Sequence, residues 1–123
     1  SIVARGDGAL LLVDALNFRV VVYSSEGEAQ SSFGRGGTEE GDFARPKAIA
    51  VDERGRVFVS DAQYGVVLIF DADGKWQLAV GGSGREPKNL SLPAGLAVQG
   101  NTLFVADAYH HRVEFYDLLE VSP

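Results

Sequence analysis

"LLLVDALNFRVVVYSSEG" (10–27), "VFVSDAQYGVVLIFDADG" (57–74) and "LFVADAYHHRVEFYDL" (103–118) are three versions of one stretch. Each is an apolar run, Asp-Ala, three variable residues and a second apolar run, and the three align without a gap. Asp14, Asp61 and Asp107 lie 47 and 46 residues apart, and Tyr23, Phe70 and Tyr116 keep the same two spacings. Independent markers therefore fix one register, and a period in this range signals a repeated supersecondary unit. Upstream, "ARPKAIAVDERG" (44–55) matches "SLPAGLAVQGN" (91–101), with Pro46 and Pro93 47 apart. "SIVARGDG" (1–8) is the same segment just past its proline position, so the sequence opens at the start of a unit.

Each unit reads as short strands and turns. The middle one gives "AIAVD" (48–52), a turn at Arg54-Gly55, "VFVSD" (57–61), a turn over Ala62 to Gly65, "VVLIFD" (66–71), the "DADG" turn and "WQLAVG" (76–81). No segment of useful length has a helical period. Glu26-Gly27 and Asp73-Gly74 place glycine where a hairpin needs positive φ. The second and third strands are nearly continuous apolar runs, which predicts that both sheet faces are covered, as when units stack face to face. Four-stranded antiparallel meanders stacked on copies of themselves describe an all-β fold of β-propeller blades. Blade 1 spans about 1–34, blade 2 about 48–81 and a partial blade 3 about 94–123, about 2.75 blades in one segment, 1–123. The fourth strand of blade 3 falls near residue 121, where only "VSP" remains. Open blade faces need a cover, either the remaining blades of a longer propeller, the preferred reading, or a second copy of the chain.

With 46% apolar and 23% charged residues the chain has the composition of a folded domain. No run approaches the roughly 18 consecutive apolar residues of a membrane helix, so no membrane insertion is expected. The absence of cysteine removes disulfides, thiol nucleophiles and thiolate metal ligands. A net charge of −6 provides no basic face for a phosphate backbone, making nucleic acid an unfavoured partner. "GRGG" (34–37) and "GGSG" (81–84) lead to proline-ended loops, whereas phosphate cradles lead into helices.

The frame Pro, small-apolar-"AV", Gly turn, "(V/F)V(A/S)DA", three variable residues, then Arg-Val-x-x-(Tyr/Phe) resembles the NHL repeat. The D-x-x-N-x-R signature of that repeat is met in full by Asp14, Asn17 and Arg19. The second unit has Tyr64 and Val66 at the last two positions, and the third has His110 with Arg112 retained. The resemblance implies a six-bladed propeller used in protein binding, RNA binding or enzymes such as amidating lyases and lactonases. Its bacterial extracytoplasmic members point towards a periplasmic or secreted setting, although the residues themselves assign no compartment.

Asp14, Asp61 and Asp107 recur in every unit, so their expected task is structural: each ends a strand and accepts backbone N–H bonds of the following turn. The triplets "LNF" (16–18), "QYG" (63–65) and "YHH" (109–111) vary inside a fixed frame. In a propeller these turns share one rim with the loops into the next blade, here 35–47 and 82–93. Phe18, Tyr64 and Tyr109, with His110, His111, Arg45, Lys47, Arg85 and Lys88 beside them, are the candidate contacts for a protein or peptide. The other reading of the rings is that they pack on the adjacent loop. Adjacent histidines on extended chain point to opposite sides and do not chelate jointly. The strands lining the axis read "SIVA", "AIAV" and "GLAV" and bring no ligands, with Lys47 and Asp52 the nearest polar residues. No metal, cofactor or catalytic residue is assigned. The chain reads as a non-enzymatic binding scaffold, with an axial-metal propeller enzyme and an RNA-binding domain as alternatives.

Overall fold

A computed structural model describes residues 1–81 and 93–118. Its eleven strands form three sheets, each wound as an antiparallel meander. Sheet 1 holds β1 (Ile2–Ala4), β2 (Leu10–Asp14), β3 (Arg19–Tyr23) and β4 (Ala29–Phe33). Sheet 2 holds β5 (Pro46–Val51), β6 (Val57–Asp61), β7 (Val66–Phe70) and β8 (Trp76–Gly81). Sheet 3 holds β9 (Pro93–Gln99), β10 (Thr102–Asp107) and β11 (Arg112–Asp117). The repeat is thus an all-β partial propeller, one sheet per unit. The sequence position of the next strand after β11 lies outside the described residues.

The irregularities repeat with the strands. Pro46 opens β5 opposite Asp61 and Pro93 opens β9 opposite Asp107, each followed or preceded by a register shift. These first strands therefore start at their prolines, ahead of the sequence reading at residues 48 and 94. A proline lacks the N–H of an interior ladder position, which suits it to a strand's first residue. A second shift recurs at Val22/Tyr23 and Ile69/Phe70, where the third strand turns into the fourth. There Gly27 and Gly74 take φ of 86° and 85°, the values their hairpins require. One 3-10 turn, Ala15–Asn17, is the only helical element among the described residues.

The sheets stack face to face, with the first strands of neighbouring sheets side by side. Sheet 1 turns a forward face of Leu11, Val13, Val20 and Val22 towards sheet 2, which answers with Ile49, Val57, Val59, Leu68 and Phe70. Phe43, fully buried, plugs this interface from the connecting loop, its ring 5.6 Å from that of Phe70. Sheet 2 turns its own forward face of Ala50, Phe58, Val67 and Ile69 onto Leu103, Val105, Leu96, Val98 and Tyr116 of sheet 3.

Only the middle sheet fulfils the expectation of two covered faces: every residue of β6 is buried, as are four of the five in β7. In β2 and β11 exposure alternates instead, because sheets 1 and 3 each have one face without a neighbour among the described residues. Phe104 and Phe115 pack edge-on at 5.3 Å on the open face of sheet 3, and Phe115 is 64% exposed. Phe104 occupies the position of Phe58 one repeat later, so the pair compares a covered and an uncovered version of one site. Phe58→Ala will cost about 3–5 kcal/mol in urea unfolding, and Phe104→Ala in this chain less than half of that. Equal costs would show that another surface covers Phe104.

Candidate binding rim

The three variable triplets close the same kind of turn between the second and third strands. Their last residues, Phe18, Gly65 and His111, all take left-handed backbone, with φ of 55°, 66° and 54°. Only the second unit places a glycine there. For Phe18 and His111 the conformation costs on the order of 1–2 kcal/mol, offset by the contacts that hold each turn. Sequence reading missed this constraint, although Gly65 in one of three aligned positions was its signal.

The repeated aspartates anchor these turns by different means. Asp61 is fully buried, and its carboxylate accepts bonds from the N–H groups of Gln63 at 3.0 Å and Tyr64 at 3.2 Å in its own turn. It also accepts from Ala44 at 2.8 Å and Arg45 at 3.1 Å in the loop entering blade 2. The Ala62 N–H donates to the Arg45 carbonyl at 2.9 Å, closing the link between turn and loop. Asp14 instead accepts from the Asn17 amide at 2.9 Å and the Arg19 guanidinium at 3.0 Å. Those bonds, the Asn17 one first, hold its carboxyl below the usual carboxylate range. Asp107, fully buried, has His110 Nδ1 at 2.9 Å and Arg112 Nη2 at 3.6 Å. Facing a carboxylate, that nitrogen carries the proton and donates it. His110 thus occupies the place of Asn17, one unit carrying a histidine where another carries an asparagine.

The loop 34–45 lies against two of the turns. The Phe18 ring rests on Gly36, where an added Cβ would sit 2.9 Å from the ring carbons. The Tyr64 hydroxyl donates to the Gly37 carbonyl at 2.6 Å. Both rings therefore pack on the loop and remain 38% exposed. Inside the loop, Arg35 donates to Asp42 at 2.8 Å and to Glu39 at 3.2 Å, and the Asp42 carboxylate also accepts from the Glu39 N–H. The Arg35 bond holds the Asp42 carboxyl below its ordinary value. Its contribution is complete above the unfolded carboxylate value, about 4, and is lost as pH falls through the lower folded one.

Tyr109 is 70% exposed and leans edge-on against His110 at 5.2 Å, and His111 is exposed beside it. Arg45 and Lys47 are exposed, whereas Arg85 and Lys88 lie outside the described residues. Leu16, 91% exposed, was not singled out by sequence, yet it stands two residues after its Asp just as Tyr109 does. The exposed large apolar residues divide cleanly: Leu16, Phe18, Tyr64 and Tyr109 stand in these turns, and Ile2, Val113 and Phe115 on the end sheets. Lys47 lies near the start of β5 and Asp52 just beyond its end, where Asp52 is paired with Arg56 at 2.6 Å. Among the described residues no three His, Asp or Glu side chains gather as a metal site.

The sequence model of the NHL repeat matches residues 90–114, the stretch that holds β9, β10 and the Asp107 turn. This stretch matches the NHL repeat. Asp107, His110 and Arg112 of the matched stretch hold the turn described above, and the internal alignment carries its register back to Asp61 and Asp14. No curated protein gives a significant match. Among solved structures the chain is similar to hydrazine synthase of Kuenenia stuttgartiensis, at 16% identity and a TM-score of 0.74, covering 94% of this chain and 31% of that one. Apo AztD of Citrobacter koseri follows at 15% and 0.66, with 96% and 31% covered. A streptogramin B lyase gives 15% and 0.60, with 95% and 39% covered. These are propeller-type proteins, enzymes among them, and identities this low speak for the fold alone. The chain spans about a third of the length of each.

Three substitutions test the turn chemistry. Asp61→Asn will cost about 1–3 kcal/mol because one carboxylate oxygen becomes an NH2 group, which cannot accept from the N–H groups facing it; it will also speed hydrogen exchange at Ala44 and Arg45. His111→Gly will raise stability by up to about 1 kcal/mol through relief of the left-handed backbone, whereas Phe18→Gly will lower it by removing the ring from Gly36. Thermal melts of the three variants, with hydrogen exchange for the first, check these outcomes.

Proposed function

We propose that this chain is part of a non-enzymatic β-propeller scaffold that binds a protein or peptide through the rim formed by its turns and the loop 34–45. The observation that supports the reading most is the rim itself. Leu16, Phe18, Tyr64 and Tyr109 are displayed on turns held by aspartates, one of which, the buried Asp61, ties turn and loop together by accepting from backbone N–H groups of both. Large apolar and aromatic side chains on preorganised backbone supply binding area with little ordering cost. Arg45 and Lys47 flank them with positive charge. On this reading the open faces of sheets 1 and 3 are covered by further blades of the same kind.

Peptides selected from a random displayed library on the intact protein test the proposal by fluorescence anisotropy. The variant carrying Leu16→Asp and Tyr109→Asp is expected to bind the selected peptide at least about tenfold more weakly, with an unchanged melting temperature. Unchanged affinity in that variant would overturn the rim reading. Binding of a single-stranded RNA oligonucleotide that strengthens as salt is lowered would replace it with nucleic-acid recognition.

A further inference from the structure

We infer that the groove between the loop 38–42 and the outer strand β8 takes a basic side chain, Lys or Arg, of an extended peptide. The inference rests on the peptide-binding reading above and gives it a chemical preference. The groove encloses about 380 Å³ and is complete within the described residues. One wall is the loop, with Glu39, Glu40 and Asp42; the other is sheet 2, with Tyr64, Leu68 and Trp76. Glu39 and Glu40 are exposed on the lip, while Asp42 is buried beneath it, and the single guanidinium beside them, that of Arg35, is bonded to Asp42 and Glu39. Glu40 has no ion pair among the described residues, and the lip keeps a net negative charge of two.

The floor has the opposite character. Val66, Leu68 and Ala79 offer aliphatic surface, and the Trp76 ring lies over Gly41, where an added Cβ would meet it at 2.9 Å. The Trp76 Nε1–H itself is buried, so the ring presents its carbon surface to the groove. An apolar trough ending in carboxylates fits a side chain with an apolar stem and a cationic head, which only Lys and Arg possess. Aromatic rings beside the trough add attraction for the cation. An acidic side chain would meet the lip with like charge, and a short polar one would leave the floor dry but unfilled.

The test selects displayed peptides in parallel on the intact protein and on its variant with Glu39→Gln and Glu40→Gln. Both glutamates are exposed, and an exposed pair such as Glu39–Arg35 contributes little to stability; a melt confirms that the variant is folded. The expected result is a Lys or Arg position among peptides from the unmodified protein that vanishes from those of the variant. The best peptide should bind the variant about tenfold more weakly, lose affinity in high salt and shift the emission of Trp76, the only tryptophan in the chain. Replacing its basic residue by norleucine gives the same loss without altering the protein. Peptides lacking a basic preference, or affinity unaffected by both changes, overturn the inference. If only the Leu16→Asp, Tyr109→Asp variant loses binding, the rim reading stands and the groove reading falls; if no peptide is selected, both fall.

Discussion

A carboxylate without access to water must be fully hydrogen-bonded, and Asp61 meets that demand with backbone alone. The donors come from two places in the chain, the turn after β6 and the loop before β5, so satisfying one buried charge fixes the position of both. The entry point of blade 2, the aim of Tyr64 and the course of the loop 34–45 follow from it. Phe43 enters the interface between sheets 1 and 2 from this same loop. The carboxylate therefore organises a surface and, through Phe43, part of the core.

In the first unit the Asn17 and Arg19 side chains donate to Asp14. Blade 2 has Tyr64 and Val66 at those positions, and Asp61 is held there by backbone N–H groups of its turn and of the entering loop. The acceptor is the same in both units. His110 belongs to the same set of solutions. Its ring is committed to Asp107, which explains how a histidine pair in sequence becomes one turn-holding residue and one exposed neighbour.

The fold was legible because the repeat supplied three aligned readings of each element. β6 and β8 match the strands read from sequence residue for residue, and the aligned prolines mark the two strand starts. The sequence pattern was less informative about burial: "LLLV" and "VVLIF" look alike, but only the latter lies in a sheet with neighbours on both sides. The left-handed turn position was hidden because Phe18 and His111 are poor choices for it, and only their contacts make them tolerable. Leu16 escaped notice because a single apolar residue in a turn carries no pattern. The pairing of Phe18 and Tyr64 with the loop was visible only as one of two alternatives, since packing of a ring on a distant loop leaves no periodic trace. The acidic lip of the outer groove was visible as residues, but its apolar floor came from strands read only as core.

The forward and rear faces of each sheet are different surfaces. Phe58 and Ile69 point one way from sheet 2, and Leu68 and Phe70 point the other. The segment consequently has a head and a tail: the exposed end at Phe104 and Phe115 is a forward face, and the one at Ile2 is a rear face. Stacking that continues the order of the three described sheets brings a forward face onto a rear face, a heterologous contact in which the two sides differ. The handed order of the stack is written into the alternation of each strand.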